Sequence, residues 1–281
     1  MSFFVAINVL CAFLTSVVPL ASLFLIIFLP LTSAIVEVMC KDRWFPIYAF
    51  ATLGLSIVVS LSSIDFTIFY IVPSIFTGYI FGLFSKRNLP PMFSIFIAAC
   101  IQTILSFVSI FILKAITNIN IIDIFVKILR ISDRFWFDSA ILFLFFFVSL
   151  IQVVLSYIVV QNELKKFNIS RKEIDVFSNL ASCFVIGSAL LSFTFSLFYL
   201  PLAFLFVGFC FYFCAFDIAR HVLSKSKFCL ISDGFALFFG IILYALLNKY
   251  FDGGRDIVLF VVSPSLISYV SIFYSFLKKS Q

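Results

Sequence analysis

Charged side chains are scarce in this sequence. Of its 281 residues only 11% are charged, whereas 64% are hydrophobic and 20% are aromatic, with 43 phenylalanines. A soluble domain is typically nearer half apolar and a quarter charged. A chain of this length cannot hide so much apolar surface in one water-soluble core. The composition therefore excludes an ordinary soluble domain. It predicts a membrane protein whose partner is the lipid bilayer.

Sequence motifs of several enzyme classes are also missing. HExxH, GxxxxGK[ST] and GxSxG do not occur, so zinc-protease, nucleotide-hydrolase and serine-hydrolase interpretations lack their starting residues. The single histidine, His221, follows Cys210 and Cys214 at spacings that would share one helical face. A zinc site needs about four ligands, however. We therefore expect two buried thiols below a histidine at a helix end, and no metal, cofactor or catalytic residue.

The distribution of charge excludes further classes of function. The 19 Lys and Arg residues exceed the 13 Asp and Glu residues, but they come in twos and threes between apolar runs. Nucleic-acid binding needs them gathered on one solvated face, so no nucleic-acid partner is expected. All 13 acidic residues fall in loops or near the ends of apolar runs. A proton-coupled pump or an ion antiporter, which generally needs an ionisable relay at mid-depth, is therefore not favoured.

Long apolar runs dominate what is present. A membrane helix needs about 20 mainly apolar residues. Eight runs meet that length: 44–64, 66–84, 92–113, 139–160, 178–198, 201–216, 233–248 and 257–277. The segment 3–38 is too long for one straight helix, and Pro19 and Pro30 would each break a helix. We predict an all-α polytopic transmembrane helical bundle forming one integral membrane domain over 1–281, with eight clear spans plus one or two broken N-terminal spans.

Two polar interruptions separate the runs. In 114–138, charged residues recur at spacings of 4, 3 and 4 from Asp123 to Arg134, which aligns them on one helical face. This pattern predicts an amphipathic helix lying in the membrane interface, and a solvated connector packed on the bundle is the alternative. The segment 161–177 mixes positive and negative side chains and is predicted to be a cytoplasmic loop.

Positive charge also predicts the orientation in the membrane. With the loop 41–43 on the cytoplasmic side and alternating spans, 13 of the 19 Lys and Arg residues fall on that side. Because cytoplasmic loops carry an excess of Lys and Arg, the C-terminus is predicted to be cytoplasmic. The predicted location is the cytoplasmic, or inner, membrane of a bacterium.

Four polar residues are candidates for binding a ligand. Gln102 and Gln152 lie near mid-depth of their spans, where they either bond each other and hold the bundle together or line a polar cavity. Asp65 and Tyr70 lie at the outer end of one helical hairpin and would face a ligand if an outward pocket exists. The alternative is an aspartate that ends a loop and a tyrosine of the aromatic belt.

Three residues in the span 66–84 are candidates for helix packing. Gly78 and Gly82 form a GxxxG motif, at which two helices can approach closely. Packing within the chain and homodimerisation are the alternatives. Pro73 is predicted to kink the same helix, and kinked membrane helices often border cavities.

The stretch 28–95 resembles a known family. It runs FLPLTSAIVEV, a short basic loop KDRW, an apolar span and YIVPSIFTGYIFGLFSKRNLPP. This layout is similar to the YybS-type family of predicted bacterial membrane proteins, a domain-of-unknown-function family. The matching positions are Pro30, Pro73, Gly78, Gly82, Lys86 and Arg87. The family's looser likeness to the substrate-binding subunits of energy-coupling-factor vitamin importers implies a compact helical bundle with an outward-facing pocket, although those subunits usually have six spans.

Three functions compete at this point. The first is a small-molecule-binding, transport-related membrane subunit, which lacks a nucleotide motif and would need an ATPase subunit as a partner. The second is a structural or assembly factor of the envelope or division machinery, in which Gly78 and Gly82 would contact another membrane protein. The third, least favoured, is an intramembrane lipid-modifying enzyme. Its candidate catalytic residues are Asp65, Arg220, His221 and Asp233.

Overall fold

The computed structural model describes residues 1–18, 21–40, 42–60, 64, 67–118, 120–128, 134–167, 178–223, 227–247 and 255–279. Within these ranges the regular structure is helical and includes no strand. The α-helices are α1 (Ser2–Val17), α2 (Ala21–Met39), α3 (Phe45–Val59), α4 (Val72–Lys86), α5 (Pro91–Thr117), α6 (Ile121–Ile128), α7 (Arg134–Lys166), α8 (Ser178–Phe198), α9 (Leu200–Leu223), α10 (Lys227–Leu247) and α11 (Val262–Lys279). The predicted all-α helical bundle is confirmed.

Among the described residues, seven helical segments are long and apolar enough to cross a membrane. They are Thr67–Lys86, Pro91–Thr117, Phe137–Lys166, Leu180–Phe198, Leu200–Leu223, Phe228–Leu247 and Val258–Phe276. These correspond to seven of the eight clear spans that the sequence predicts. The remaining run, 44–64, contains α3, whose 15 residues extend only about 22 Å. The chain is thus a multi-pass membrane protein.

The N-terminal segment forms two short apolar helices, α1 and α2. Of the two prolines expected to break this segment, Pro30 lies inside α2, and Pro19 lies outside the described residues. The prediction that Pro30 ends a helix is therefore wrong. A proline removes one backbone donor, but neighbouring helices can satisfy the freed carbonyl in a membrane.

Pro73 lies in the first turn of α4, directly after a π-helix at Thr67–Ile71. The first turn of a helix needs no backbone donor from its own residues, so a proline costs little there. Irregular turns of the π type are a recognised cause of local bending in membrane helices. The irregularity predicted for this span is therefore found on the N-terminal side of Pro73.

The segment predicted as one amphipathic helix over 114–138 is divided among three helices. α5 continues to Thr117 and ends at Asn118, whose φ of 56° is left-handed. α6 then occupies Ile121–Ile128, and α7 begins at Arg134. A left-handed residue closes a helix, so α5 and α6 are separate helices. Of the charged series, Asp123 and Lys127 lie on α6 and Arg134 is the first residue of α7. Of the predicted loop 161–177, the first six residues extend α7 and most of the rest lies outside the described residues.

The chain folds as two compact units. Unit 1 comprises Met1–Leu129 and Phe145–Lys172, and unit 2 comprises Arg130–Leu144 and Glu173–Gln281. In unit 1, α2 packs against α4 and α1 packs against α3. In unit 2, α9 packs against α8, and α11 contacts α8, α9 and α10. The sequence predicted one integral membrane domain over 1–281, because no segment is large enough for an independent soluble domain.

Candidate active site

Helices α9 and α10 continue beyond the ends predicted for their spans. The sequence predicted spans at 201–216 and 233–248, which placed Asp217 and His221 in the connection and Asp233 at its edge. α9 instead extends to Leu223, and α10 begins at Lys227. All three side chains are buried, with relative exposures of 1%, 1% and 5%. Both aspartates lie within two turns of a helix end, near the ends of the apolar runs as the sequence indicated, but they are buried rather than exposed in a connection.

Two of these buried groups, His221 and Asp233, form one hydrogen-bonded line with Ser271 across three helices. The Nδ1 atom of His221 lies 2.7 Å from Oδ2 of Asp233 on α10. The Nε2 atom of the same ring lies 2.7 Å from Oγ of Ser271 on α11. This is the atomic order of a serine–histidine–aspartate triad, in which the carboxylate fixes the ring and the ring accepts the serine proton.

A second carboxylate lies one helical turn before the histidine. Asp217 accepts hydrogen bonds from Ser268 Oγ at 2.7 Å and from Ser182 Oγ at 2.9 and 3.0 Å to its two oxygens. Ser268 and Ser271 are three residues apart on α11, as Asp217 and His221 are four apart on α9. Because such spacings share a helical face, α9 and α11 meet along paired polar positions.

Arg220 adds a positive charge to this cluster. Its Nη2 atom donates to the backbone carbonyl of Ser271 at 3.4 Å, whereas its buried Nη1 atom has no hydrogen-bond partner. Oδ1 of Asp233 is also buried without one. Two carboxylates, one guanidinium and the His221 imidazole therefore lie together in unit 2.

The cluster lies near one end of unit 2. His221 is two residues from the end of α9, Asp233 is six residues from the start of α10, and Ser271 is eight residues from the end of α11. At 1.5 Å per residue these positions are about 3 to 12 Å from the helix ends.

Helix α10 covers the triad with little packing of its own. Only 17% of its apolar window is buried, against 50% for α9. At Gly240, α10 lies close against α11, because an added Cβ atom would be 1.6 Å from Ser263 Oγ. Gly240 is seven residues, or about 10 Å, beyond Asp233. Near the triad, the bond between Asp233 and His221 joins α10 to α9.

The residues predicted to bind a ligand lie in unit 1. Gln102 donates from Nε2 to Oε1 of Gln152, and Gln102 Oε1 accepts from Thr77 Oγ1 at 3.3 Å. This is the helix-to-helix bond of the first alternative. Tyr70 lies in the π-helix and packs against the core around Tyr48. Asp65 lies outside the described residues.

The glycines of the GxxxG motif lie against α2. A Cβ atom on Gly78 would be 2.2 Å from the carbonyl oxygen of Pro30, and one on Gly82 would be 2.6 Å from Glu37 Cβ. Both glycines therefore serve contacts within the chain. Cys210 and Cys214 are buried in unit 2, and no three metal-binding side chains converge in the residues that the structure describes.

Ser271 is the functional candidate that sequence reasoning missed. Serine occurs in most of the apolar runs, so its presence at one position carries little information. The signal that could have found it is the pairing of polar residues three and four apart in two long apolar runs. Comparison of the chain with protein-family models, curated proteins and solved structures finds no match. The site is therefore argued from its own geometry.

Proposed function

We propose that this protein is an intramembrane serine hydrolase or acyltransferase that acts on ester bonds of membrane lipids. The observation that carries the proposal is the line from Ser271 Oγ through both ring nitrogens of His221 to Asp233, with two contacts of 2.7 Å. Ser271 is the nucleophile, His221 the general base and Asp233 the group that orients the ring.

The proposed reaction proceeds in two halves. His221 Nε2 takes the Oγ proton as Ser271 attacks the ester carbonyl carbon, and the imidazolium then protonates the departing alcohol as the carbon–oxygen bond breaks. Water completes hydrolysis of the acyl-serine, or a second alcohol completes transfer. Asp233 holds the ring through Nδ1 while Nε2 passes the proton from Ser271 Oγ to the departing alcohol.

A lipid is the proposed substrate because of where the triad lies. The three triad residues lie on three helices that are long and apolar enough to span a membrane, so a lipid is the substrate with direct access to them. Ser271 is fully buried, so a substrate needs an opening, and the sparsely buried α10 is the helix proposed to move. With the C-terminus on the cytoplasmic side of a bacterial inner membrane, the site would open toward the cytoplasmic leaflet.

Turnover in liposomes tests the proposal. The purified protein is reconstituted with mixed phospholipids, and release of fatty acid and lysolipid is followed by mass spectrometry. Ser271→Ala should lose at least about 10³-fold in rate, as nucleophile removal does in serine hydrolases. Ser265→Ala is the matched control, because its hydroxyl bonds only the Val261 carbonyl of its own helical segment. Absence of wild-type turnover, or equal turnover by Ser271→Ala, would contradict the proposal.

A transport-related, small-molecule-binding subunit is the second candidate. It is favoured by a buried network in unit 1, in which Asn8 Nδ2 donates to Tyr48 OH at 2.7 Å and Thr32 Oγ1 donates to Asn8 Oδ1 at 3.0 Å. A cavity of about 480 Å³ between α1 and α3 reaches Tyr48. Volumes of this order suit a small ligand. Purification in mild detergent should then retain such a ligand or an ATPase subunit, and recovery of neither counts against this role.

A further inference from the structure

Glu37 in unit 1 is a buried carboxylate without hydrogen bonds. It lies in the last turn of α2, its side chain is 0% exposed, and neither carboxylate oxygen has a hydrogen-bond partner. Gly82 of α4 packs directly against its Cβ and Cγ atoms, which fixes the side chain at the α2–α4 interface. A buried carboxylate in this state is costly unless a proton or another cation neutralises it.

The nearest cation is already shared with other groups. The ammonium of Lys86 lies 3.8 Å from Glu37 Oε1 but only 2.5 Å from Asp42 Oδ1. It also donates to the backbone carbonyls of Glu37 at 3.3 Å and of Cys40 at 3.4 Å. The hydrogen bond from Lys86 holds the pKa of Asp42 below its usual range. One ammonium therefore faces two carboxylates, and its shorter contact is with Asp42.

This arrangement leaves one negative charge uncompensated, and it is on the buried group. The charged groups that act on Glu37 are Lys86 from α4 and Asp42 from the 3₁₀ helix Asp42–Trp44. α1 and the π-helix, which also pack on α2, carry no acidic or basic side chain. Their titratable groups are the Cys11 thiol and the Tyr70 phenol, neither of which supplies a positive charge.

We propose that Glu37 binds a small monovalent cation, either a proton or an alkali-metal ion, and that Lys86 competes for the same carboxylate. The Lys86 ammonium lies next to four oxygen atoms, two from carboxylates and two from backbone carbonyls. Oxygen atoms of these kinds are the ligands that hard cations prefer. When the cation is bound, Lys86 stays on Asp42. When it leaves, Lys86 moves toward Glu37. This site is separate from the triad and does not depend on its chemistry.

Labelling with dicyclohexylcarbodiimide tests the proposal on the full-length protein in membranes. This apolar reagent modifies protonated carboxyl groups within the bilayer, and peptide mass spectrometry locates and quantifies the product. The reaction is run over a series of pH values, and with sodium, potassium or choline chloride at constant ionic strength. Glu163 is the internal control, because it is exposed and paired with Lys166 at 2.7 Å.

Labelling of Glu37 is expected to fall about tenfold per pH unit above its midpoint. Protection by sodium or potassium but not by choline identifies an alkali-metal ion as the occupant, and equal labelling in all three salts identifies the proton. In Lys86→Met the midpoint should move upward by about 1 to 3 pH units, because the competing positive charge is gone. Lys86→Arg, which keeps the charge, is the matched variant and should stay near the wild type.

Three results would overturn the proposal. Glu37 that is never labelled would be permanently ionised and neutralised by Lys86. Glu37 labelled equally at every pH and in every salt would be a permanently protonated structural group. An unchanged midpoint in Lys86→Met would remove Lys86 as the competitor. Labelling of the wild-type protein alone would reveal either of the first two results, so the proposal can be tested even if a variant fails to fold.

Discussion

Asp233 contacts His221 through a single carboxylate oxygen, and this one bond decides which ring nitrogen carries the proton. With Nδ1–H donated to Asp233, Nε2 keeps the lone pair that accepts the Ser271 proton. The residue's other oxygen is buried without a partner, so the carboxylate is not fixed from its far side. The triad's alignment therefore depends on a contact between α9 and α10.

Asp233→Asn should uncouple the triad while keeping its shape. The amide can present a donor to Nδ1, which stabilises the wrong tautomer, so the rate of acylation should fall about 10³- to 10⁴-fold. The rate is measured as the second-order constant for reaction with a fluorophosphonate. Glu163→Gln is the control, since Glu163 is a surface residue that pairs with Lys166. A rate within a few-fold of wild type would show that Asp233 does not orient the ring.

At the scale of helices, apolar length was the most informative signal. Seven predicted spans became helical segments because a run of about 20 apolar residues has few alternatives to a helix in lipid. The end of α9 could not be predicted, because an aspartate after an apolar run indicates the start of a loop. Only its hydrogen-bond partners show that Asp217 lies inside the helix. Those partners, Ser182 and Ser268, are 35 and 51 residues away in the chain.

The α2–α4 contact depends on the absence of a side chain at Gly78. Gly78→Ala should destabilise the protein by about 1–3 kcal/mol, because the added methyl overlaps the Pro30 carbonyl at 2.2 Å and the helices must separate. Thermal unfolding in detergent measures the change. Gly54→Ala is the matched control, since nothing lies within 4 Å of its Cβ position. Equal melting temperatures for the two variants would be inconsistent with close packing at Gly78.

The bond between Gln102 and Gln152 joins α5 to α7 within unit 1. A double-mutant cycle with Gln102→Leu and Gln152→Leu should give a coupling free energy of about 0.6 kcal/mol, and at most about 1.7 kcal/mol. Denaturant or thermal unfolding supplies the four stabilities. Thr77 also donates to Gln102, so Thr77→Val extends the cycle to the third member. A coupling near zero would indicate that each amide finds other partners.

At the scale of the whole molecule, the composition established the environment but not the chemistry. Membrane embedding follows from the shortage of charge, which is a property of the entire chain. The candidate site depends on which sparse polar residues meet, and that is set by packing among α8, α9, α10 and α11. His221 and Asp233 were visible in the sequence as isolated residues. Ser271, 50 residues beyond His221, became a candidate only through its distance from Nε2.

In the part of the chain that the structure describes, buried acidic residues lie beside basic ones in both units. Unit 2 contains the triad with Asp217 and Arg220, and unit 1 contains Glu37 with Lys86. Ionisable residues within membrane proteins are rare and usually functional, because burying them is costly. GxxxG contacts, by contrast, are used inside unit 1, so Gly78 and Gly82 supply no observation in favour of an assembly role.

Reaction of the detergent-solubilised protein with a fluorophosphonate probe, followed by peptide mass mapping, tests the central claim most directly. The phosphorus atom of such a probe is attacked by an activated serine, and fluoride leaves. We expect a single adduct on Ser271 that disappears in Ser271→Ala and in His221→Ala, whereas Ser265→Ala reacts as the wild type does. Absence of an adduct on Ser271, or an adduct formed equally well in His221→Ala, would contradict the assignment of a catalytic triad.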